Sequence, residues 1–203
     1  NDMGKADCGG CNGCSRCCHG MGNSIILDPY DVYRMTTGMG KSMQELLAAS
    51  VELNVVDGVI LPNLKMQGTE EACAYLDEEG RCSIHPYRPG ICRLFPLGRY
   101  YENGGFSYFL QTGECAKENR SKIKVSKWID TPDLTRNQQF TLQWHDLLHA
   151  MEERLTGEDE GKQREENLLL LRLFYLLPYE GTIDFYTQFT ERMEHWNGQN
   201  GQI

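Results

Sequence analysis

Five of the nine cysteines in this 203-residue chain, Cys8, Cys11, Cys14, Cys17 and Cys18, fall inside eleven consecutive residues. Around them, residues 1–22 are Gly, Cys and small polar side chains with almost nothing to bury, so this stretch alone would be disordered. Order there has to come from something other than an apolar core. Two-residue spacers allow it: successive thiolates can converge on one centre while the chain turns back and amide N–H groups point at sulfur. Gly9, Gly10 and Gly13 ease the turning. Cys73, Cys82, Cys92 and Cys115 are spread over the next hundred residues or so.

The rest of the composition is that of a folded protein, with 40% hydrophobic and 24% charged residues. A net charge of −9 argues against nucleic acid or an anionic membrane as partner, because both call for a basic surface. The longest apolar run, residues 168–177, is interrupted by Arg172 and is about half the length a bilayer helix needs. The chain begins Asn1-Asp2-Met3 without the pattern of a signal peptide, so Met3 is read as the native start and the protein as cytoplasmic. Thiols stay reduced there, and an odd cysteine count fits metal better than disulfides.

Local signals predict an α+β fold, with short β-hairpins and loops around cysteine-ligated metal and helices behind them. Residues 24–27 read as a strand. Asp28 caps a helix that starts at Pro29 and ends at Gly38, and Ser42 with Glu45 forms a capping box. Hairpins are expected over 53–65, turning at Asp57-Gly58, and over 99–110, turning at Asn103-Gly104. Another is expected over 73–84, with Leu76 opposite Arg81 and Tyr75 opposite Cys82, leaving Cys73 within reach of a shared metal. The prolines around His85-Pro86-Tyr87-Arg88-Pro89 place Cys92 near a helix N-terminus, where the dipole favours thiolate. Beyond residue 120 the chain carries helical stripes: Trp144, Leu147, Leu148, Met151 and Leu155; an apolar helix over 162–177; and Ile183, Tyr186, Phe189 and Met193. The expected organisation is a cysteine-rich metal-binding region at 1–120, a helical region at 121–196 packed on it as part of one domain, and a disordered tail at 197–203.

The run Cys8-x2-Cys11-x2-Cys14-x2-Cys17-Cys18 is closer to the ferredoxin pattern for [4Fe–4S] clusters than to paired zinc knuckles. It ends, however, in a Cys-Cys pair with no proline. Side chains of adjacent residues tend to diverge, so Cys17 and Cys18 are expected to serve different centres. All nine cysteines are candidate metal ligands, enough for two four-thiolate sites with one left over. Ligand type alone admits iron–sulfur or zinc.

Cys11-x2-Cys14-x2-Cys17-Cys18, followed by Cys73-Ala-Tyr-Leu-Asp, Gly80-Arg-Cys82-Ser-Ile-His85 and Arg88-Pro-Gly-Ile-Cys92-Arg-Leu-Phe-Pro96, resembles the zinc- or iron-chelating CxxCxxCC cysteine-cluster proteins. The resemblance spans about residues 8–116. It implies a metal or iron–sulfur centre held by Cys11, Cys14, Cys17, Cys18, Cys73, Cys82, Cys92 and Cys115, with Cys8 extra to the pattern. The group includes flagellin lysine N-methylases and is often labelled Fe–S oxidoreductase. Methyl transfer is thus an implication of kinship only, since no motif for S-adenosylmethionine is visible.

The preferred reading is an iron–sulfur protein in redox or protein/peptide-modifying chemistry, with a protein or peptide partner. A non-catalytic zinc module and a metal capture or delivery protein are the alternatives. Arg16, Arg81, Arg88, Arg93 and Arg99 lie near the cysteines in sequence, as ordinary ion pairs, as charge compensation for a thiolate centre, or as an anionic-substrate site. His85 fits a hydrogen-bonded turn better than a ligand, and His19 is a weak candidate ligand. His145 and His149 lie off the apolar stripe of their helix, on a polar face.

Overall fold

The computed structural model describes residues 3–7, 14–116 and 120–200. Among them the strands form four separate two-stranded antiparallel sheets, and the architecture is α+β. Strand β1 (Met3–Asp7) pairs with β8 (Ser121–Lys124), 114 residues away at the Asp7–Ser121 pair. The sequence signals miss this pairing. Met-Gly-Lys-Ala-Asp has no β-branched residue, and the strand exists only because a distant partner supplies the ladder. Ala6 is fully buried beneath it, in a small cluster with Leu94, Leu97, Val125 and Ile129.

Helix α1 (Pro29–Met39) opens with Asp28 and Asp31 in a reciprocal capping box. Gly38 lies inside this helix rather than ending it, and Gly40, with a left-handed φ of 64°, is the cap. Gly38 is there for space, because a Cβ would stand 2.3 Å from the Tyr87 ring. Ser42 and Glu45 cap α2 (Met43–Ala49) as their spacing predicts. The β2–β3 hairpin (Val51–Val56, Val59–Leu64) turns at Asp57-Gly58, also as predicted. Residues 24–27 form no strand: Ile26 makes an isolated bridge to Asn63 as the segment runs along β3.

The expected hairpin over 73–84 is replaced by a shorter device. Strand β5 (Ala72–Cys73) pairs with β4 (Met66–Gln67), and Leu76 bridges Cys82 rather than Arg81, a one-residue slip. Asp77 explains the slip, because its carboxylate accepts from Glu79 N and Arg81 N and tightens the turn. Helix α3 (Gly90–Leu94) and the β6–β7 hairpin (Leu97–Glu102, Gly105–Leu110) follow, the latter turning at Asn103-Gly104.

Short helix α4 (Val125–Ile129) leads to α5 (Leu134–Leu155), α6 (Glu160–Leu171) and α7 (Phe185–Asn200). Trp144, Phe174, Phe185, Phe189 and Trp196 join α1, α2 and the β2–β3 hairpin in one core, against which Cys73, Cys82 and Cys92 also pack. The buried face of α7 is Phe185, Gln188, Phe189, Arg192 and Trp196, whereas Ile183 is exposed. A π-helical turn (Arg172–Leu176) carries α6 onward, and the Arg192 guanidinium satisfies it by donating to the carbonyls of Leu173, Leu177 and Pro178. Helix α7 continues through residues expected to be tail, and residues 201–203 lie outside the described set. No described helix is long and apolar enough to cross a membrane.

Candidate metal centre

Cys17 and Cys18 sit in a single 3-10 turn (Arg16–Cys18), closed by Cys18 N donating to Ser15 O at 2.8 Å. His19 Nδ1 reaches the same carbonyl at 2.9 Å, which uses that nitrogen structurally. The turn is docked through Gly20 N to Glu71 O and a bridge between His19 and Ala72, placing the cysteine pair beside Cys73 on β5. Cys82 follows the Asp77 turn, and Ser83 holds it against Tyr75 through two bonds to the Tyr75 carbonyl. Cys92 sits on α3, which is tied to α1 by Gly90 N donating to Asp31 Oδ1 at 2.6 Å.

Four separate stretches of chain thereby bring Cys17, Cys18, Cys73, Cys82 and Cys92 into one neighbourhood, all half-buried and none in a disulfide. The adjoining Cys18 thiol holds Cys17 below the usual thiol range, with help from the nearby charges of Arg88 and His19. The same neighbour effect, then burial, raises Cys18. Burial pushes up Cys73 and Cys82, and the thiols also act on one another. Cys92 goes up as well, through burial, the charge of Asp31 and the surrounding thiols. Cys92 lies in the first turn of α3, as the prolines predict, and burial, the charge of Asp31 and the surrounding thiols outweigh the dipole of so short a helix.

Cys17 and Cys18 share one 3-10 turn, and both lie near enough to Cys73 and Cys92 for their charges to act on them. Cys14 and Cys115 are free, half-buried thiols that the structure does not tie to this set. Cys8 and Cys11 lie outside the described residues. Among the described residues, no three His, Cys, Asp or Glu side chains stand in metal-ligating geometry, so the thiols are gathered rather than closed around a point. Their chemistry nonetheless fits a thiolate-ligated centre, being sulfur donors in a half-buried setting with Arg88 to balance charge.

The other candidates sort plainly. His85 is exposed in its 3-10 turn, with Nε2 2.6 Å from Arg88 Nη1. His145 stacks on Tyr101 at 3.8 Å, and His149 lies on the same exposed helix face. Arg81 pairs with Asp77 and Glu79 in solvent, while Arg93 is buried. Sequence reasoning misses Asp31, whose carboxylate ties α1 to the helix that carries Cys92, because nothing in its spacing reveals what α1 packs against.

Residues 10–125 match the family model of CxxCxxCC, described as a zinc- or iron-chelating domain. The match covers more than half of the chain, starts after Cys8 and stops where α4 begins, leaving α5, α6 and α7 outside it. No curated protein and no solved structure matches the chain. With its gathered thiols lying within the matched span, the chain belongs to the zinc- or iron-chelating CxxCxxCC family.

Proposed function

We propose that this protein binds an iron–sulfur centre and uses it in redox or protein/peptide-modifying chemistry. The observation that carries the reading is the gathering of five free cysteines from four stretches of chain. Cys17, Cys18, Cys73, Cys82 and Cys92 would hold the centre, completed from the run Cys8, Cys11 and Cys14 and from Cys115. A bound cluster supplies one-electron transfer at a potential set by charge, hydrogen bonds to sulfur and exposure. The chain contributes those settings: Arg88 offsets negative charge at Cys17 and Cys82, while buried Tyr75 and Ile84 keep water from one side. Reduced thiols suit the cytoplasm, and a protein or peptide is the proposed partner.

The test is metal and acid-labile sulfide analysis, with an absorption spectrum, on protein purified without oxygen. Iron with sulfide and a broad band near about 400 nm supports the reading. Colourless protein holding stoichiometric zinc overturns it in favour of a structural module, and a readily exchanged ion in favour of metal delivery.

A further inference from the structure

The β2–β3 hairpin has two edges, and only one of them is covered. On the β3 side, Leu27 N donates to the Pro62 carbonyl at 2.8 Å and Leu64 N to the Ile25 carbonyl at 3.0 Å. Ile60 N donates to Asn167 Oδ1 of α6 at 2.6 Å. Backbone groups alternate sides along a strand, so Ile60, Pro62 and Leu64 face away from β2, and Val59, Leu61 and Asn63 face toward it. The register, with Val56 opposite Val59, Asn54 opposite Leu61 and Glu52 opposite Asn63, then fixes β2. Leu53 and Val55 turn their N–H and C=O groups outward, where no backbone group among the described residues meets them.

The side chains of this edge are open as well, with Leu53 43% and Val55 67% exposed. Soluble proteins guard such edges with a lysine, a proline or a bulge, because a bare edge templates another strand. Strand β2 has none of the three: it reads Val-Glu-Leu-Asn-Val-Val, and its pairing with β3 runs without a shift. Its one charge, Glu52, is turned to the other face of the hairpin, where Oε1 accepts from the side-chain amides of Asn54 and Asn63.

We propose that β2 pairs with β2 of a second copy of this chain, antiparallel about a two-fold axis at Asn54. In that register Leu53 stands opposite Val55 of the other copy and Val55 opposite its Leu53. Each pair exchanges both N–H···O bonds and shelters two apolar side chains from water. Charge selects this occupant. Two chains of net charge −9 repel over most of their surface, so they meet best where neither presents a charge. Residues 53–56 are uncharged, and Glu52 falls opposite Val56, so no like charges face each other. So short a strand buries much less than the roughly 1,600 Å² of a standard interface, which makes the dimer weak and concentration-dependent. No cysteine lies on β2 or β3, so the pairing stands whichever metal the thiols take.

The experiment is sedimentation velocity of the purified full chain from about 10 µM to about 1 mM, a range that spans weak association. Wild type should pass reversibly from monomer to dimer. Val55→Lys, which places a charge on the paired edge, should weaken the dimer about tenfold or more, and Leu53→Lys should act alike. Val55→Thr keeps a β-branched, uncharged side chain and should dimerise close to wild type. Tyr100→Lys, at an exposed apolar position on β6, is the control and should change nothing. The substituted side chains are exposed, so the variants are expected to fold, with circular dichroism as the check. A wild type that stays monomeric throughout, or a dimer that both lysine variants of β2 leave intact, overturns the proposal.

Discussion

Cys17 and Cys18, immediate neighbours in the chain, sit together in one 3-10 turn closed by Cys18 N donating to Ser15 O at 2.8 Å. Adjacent residues in an extended segment would point apart. The 3-10 turn keeps both near Cys73 and Cys92, on whose thiols they act. That neighbourhood is what the first prediction probes.

Serine at Cys18 or Cys92 should remove most of the bound metal, because each contributes a sulfur to the gathered set. Cys8→Ser should have a smaller effect, since Cys8 precedes the family match. Metal per chain in protein purified without oxygen measures the difference, and equal loading of wild type and Cys92→Ser contradicts the ligand set.

Stripping the metal with a chelator should loosen the cysteine-bearing turns and spare the helices. The Arg16–Cys18 turn has no buried residue of its own, whereas α5, α6 and α7 share a large aromatic core. Limited proteolysis should cut faster within residues 14–22 in stripped protein, while helical circular dichroism changes little. Global unfolding on metal loss is the opposite outcome.

Gly38→Ala should destabilise the protein by about 1–3 kcal/mol, the usual range for overpacking, because the new methyl would meet the Tyr87 ring. Tyr87→Ala should remove most of that additional penalty. Denaturant unfolding of both single variants and the double variant gives the coupling directly.

Asp28 sets a pH dependence. Burial, then the charge of Asp31, raises its carboxyl from 3.8 to about 7. The folded state thus binds this proton more tightly than the unfolded chain, so its contribution is favourable at low pH and is lost as pH rises from about 4 to about 7. Asp28→Asn keeps an oxygen for the helix cap and carries no charge. The stability of the variant relative to wild type should therefore increase across that window. Thermal unfolding at pH values on either side checks the sign.

Much of this protein was legible from sequence because the signals are local. The Asp28 and Ser42 caps and the Asp57-Gly58 and Asn103-Gly104 turns each act over a few bonds, and each appears where expected. Side-chain periodicity likewise located the buried face of α5 through Trp144, Leu147 and Met151. On α7 it located Phe189, with Tyr186 and Met193 packed beside it, but missed the buried polar Gln188 and Arg192, because their hydrogen bonds to backbone groups of the preceding turns are invisible to a hydrophobic pattern.

The sequence by itself determined that the chain carries a cysteine cluster suited to metal, that it is α+β, and where most turns and caps fall. Tertiary structure alone decided that Cys73, Cys82 and Cys92 pack against one core, that β1 finds β8, and that Arg34 lies with Arg93 against Tyr30. The physical reason is range. Backbone preferences and caps are settled within a few residues, whereas these meetings join segments tens to more than a hundred residues apart and depend on how one core buries all of its elements together.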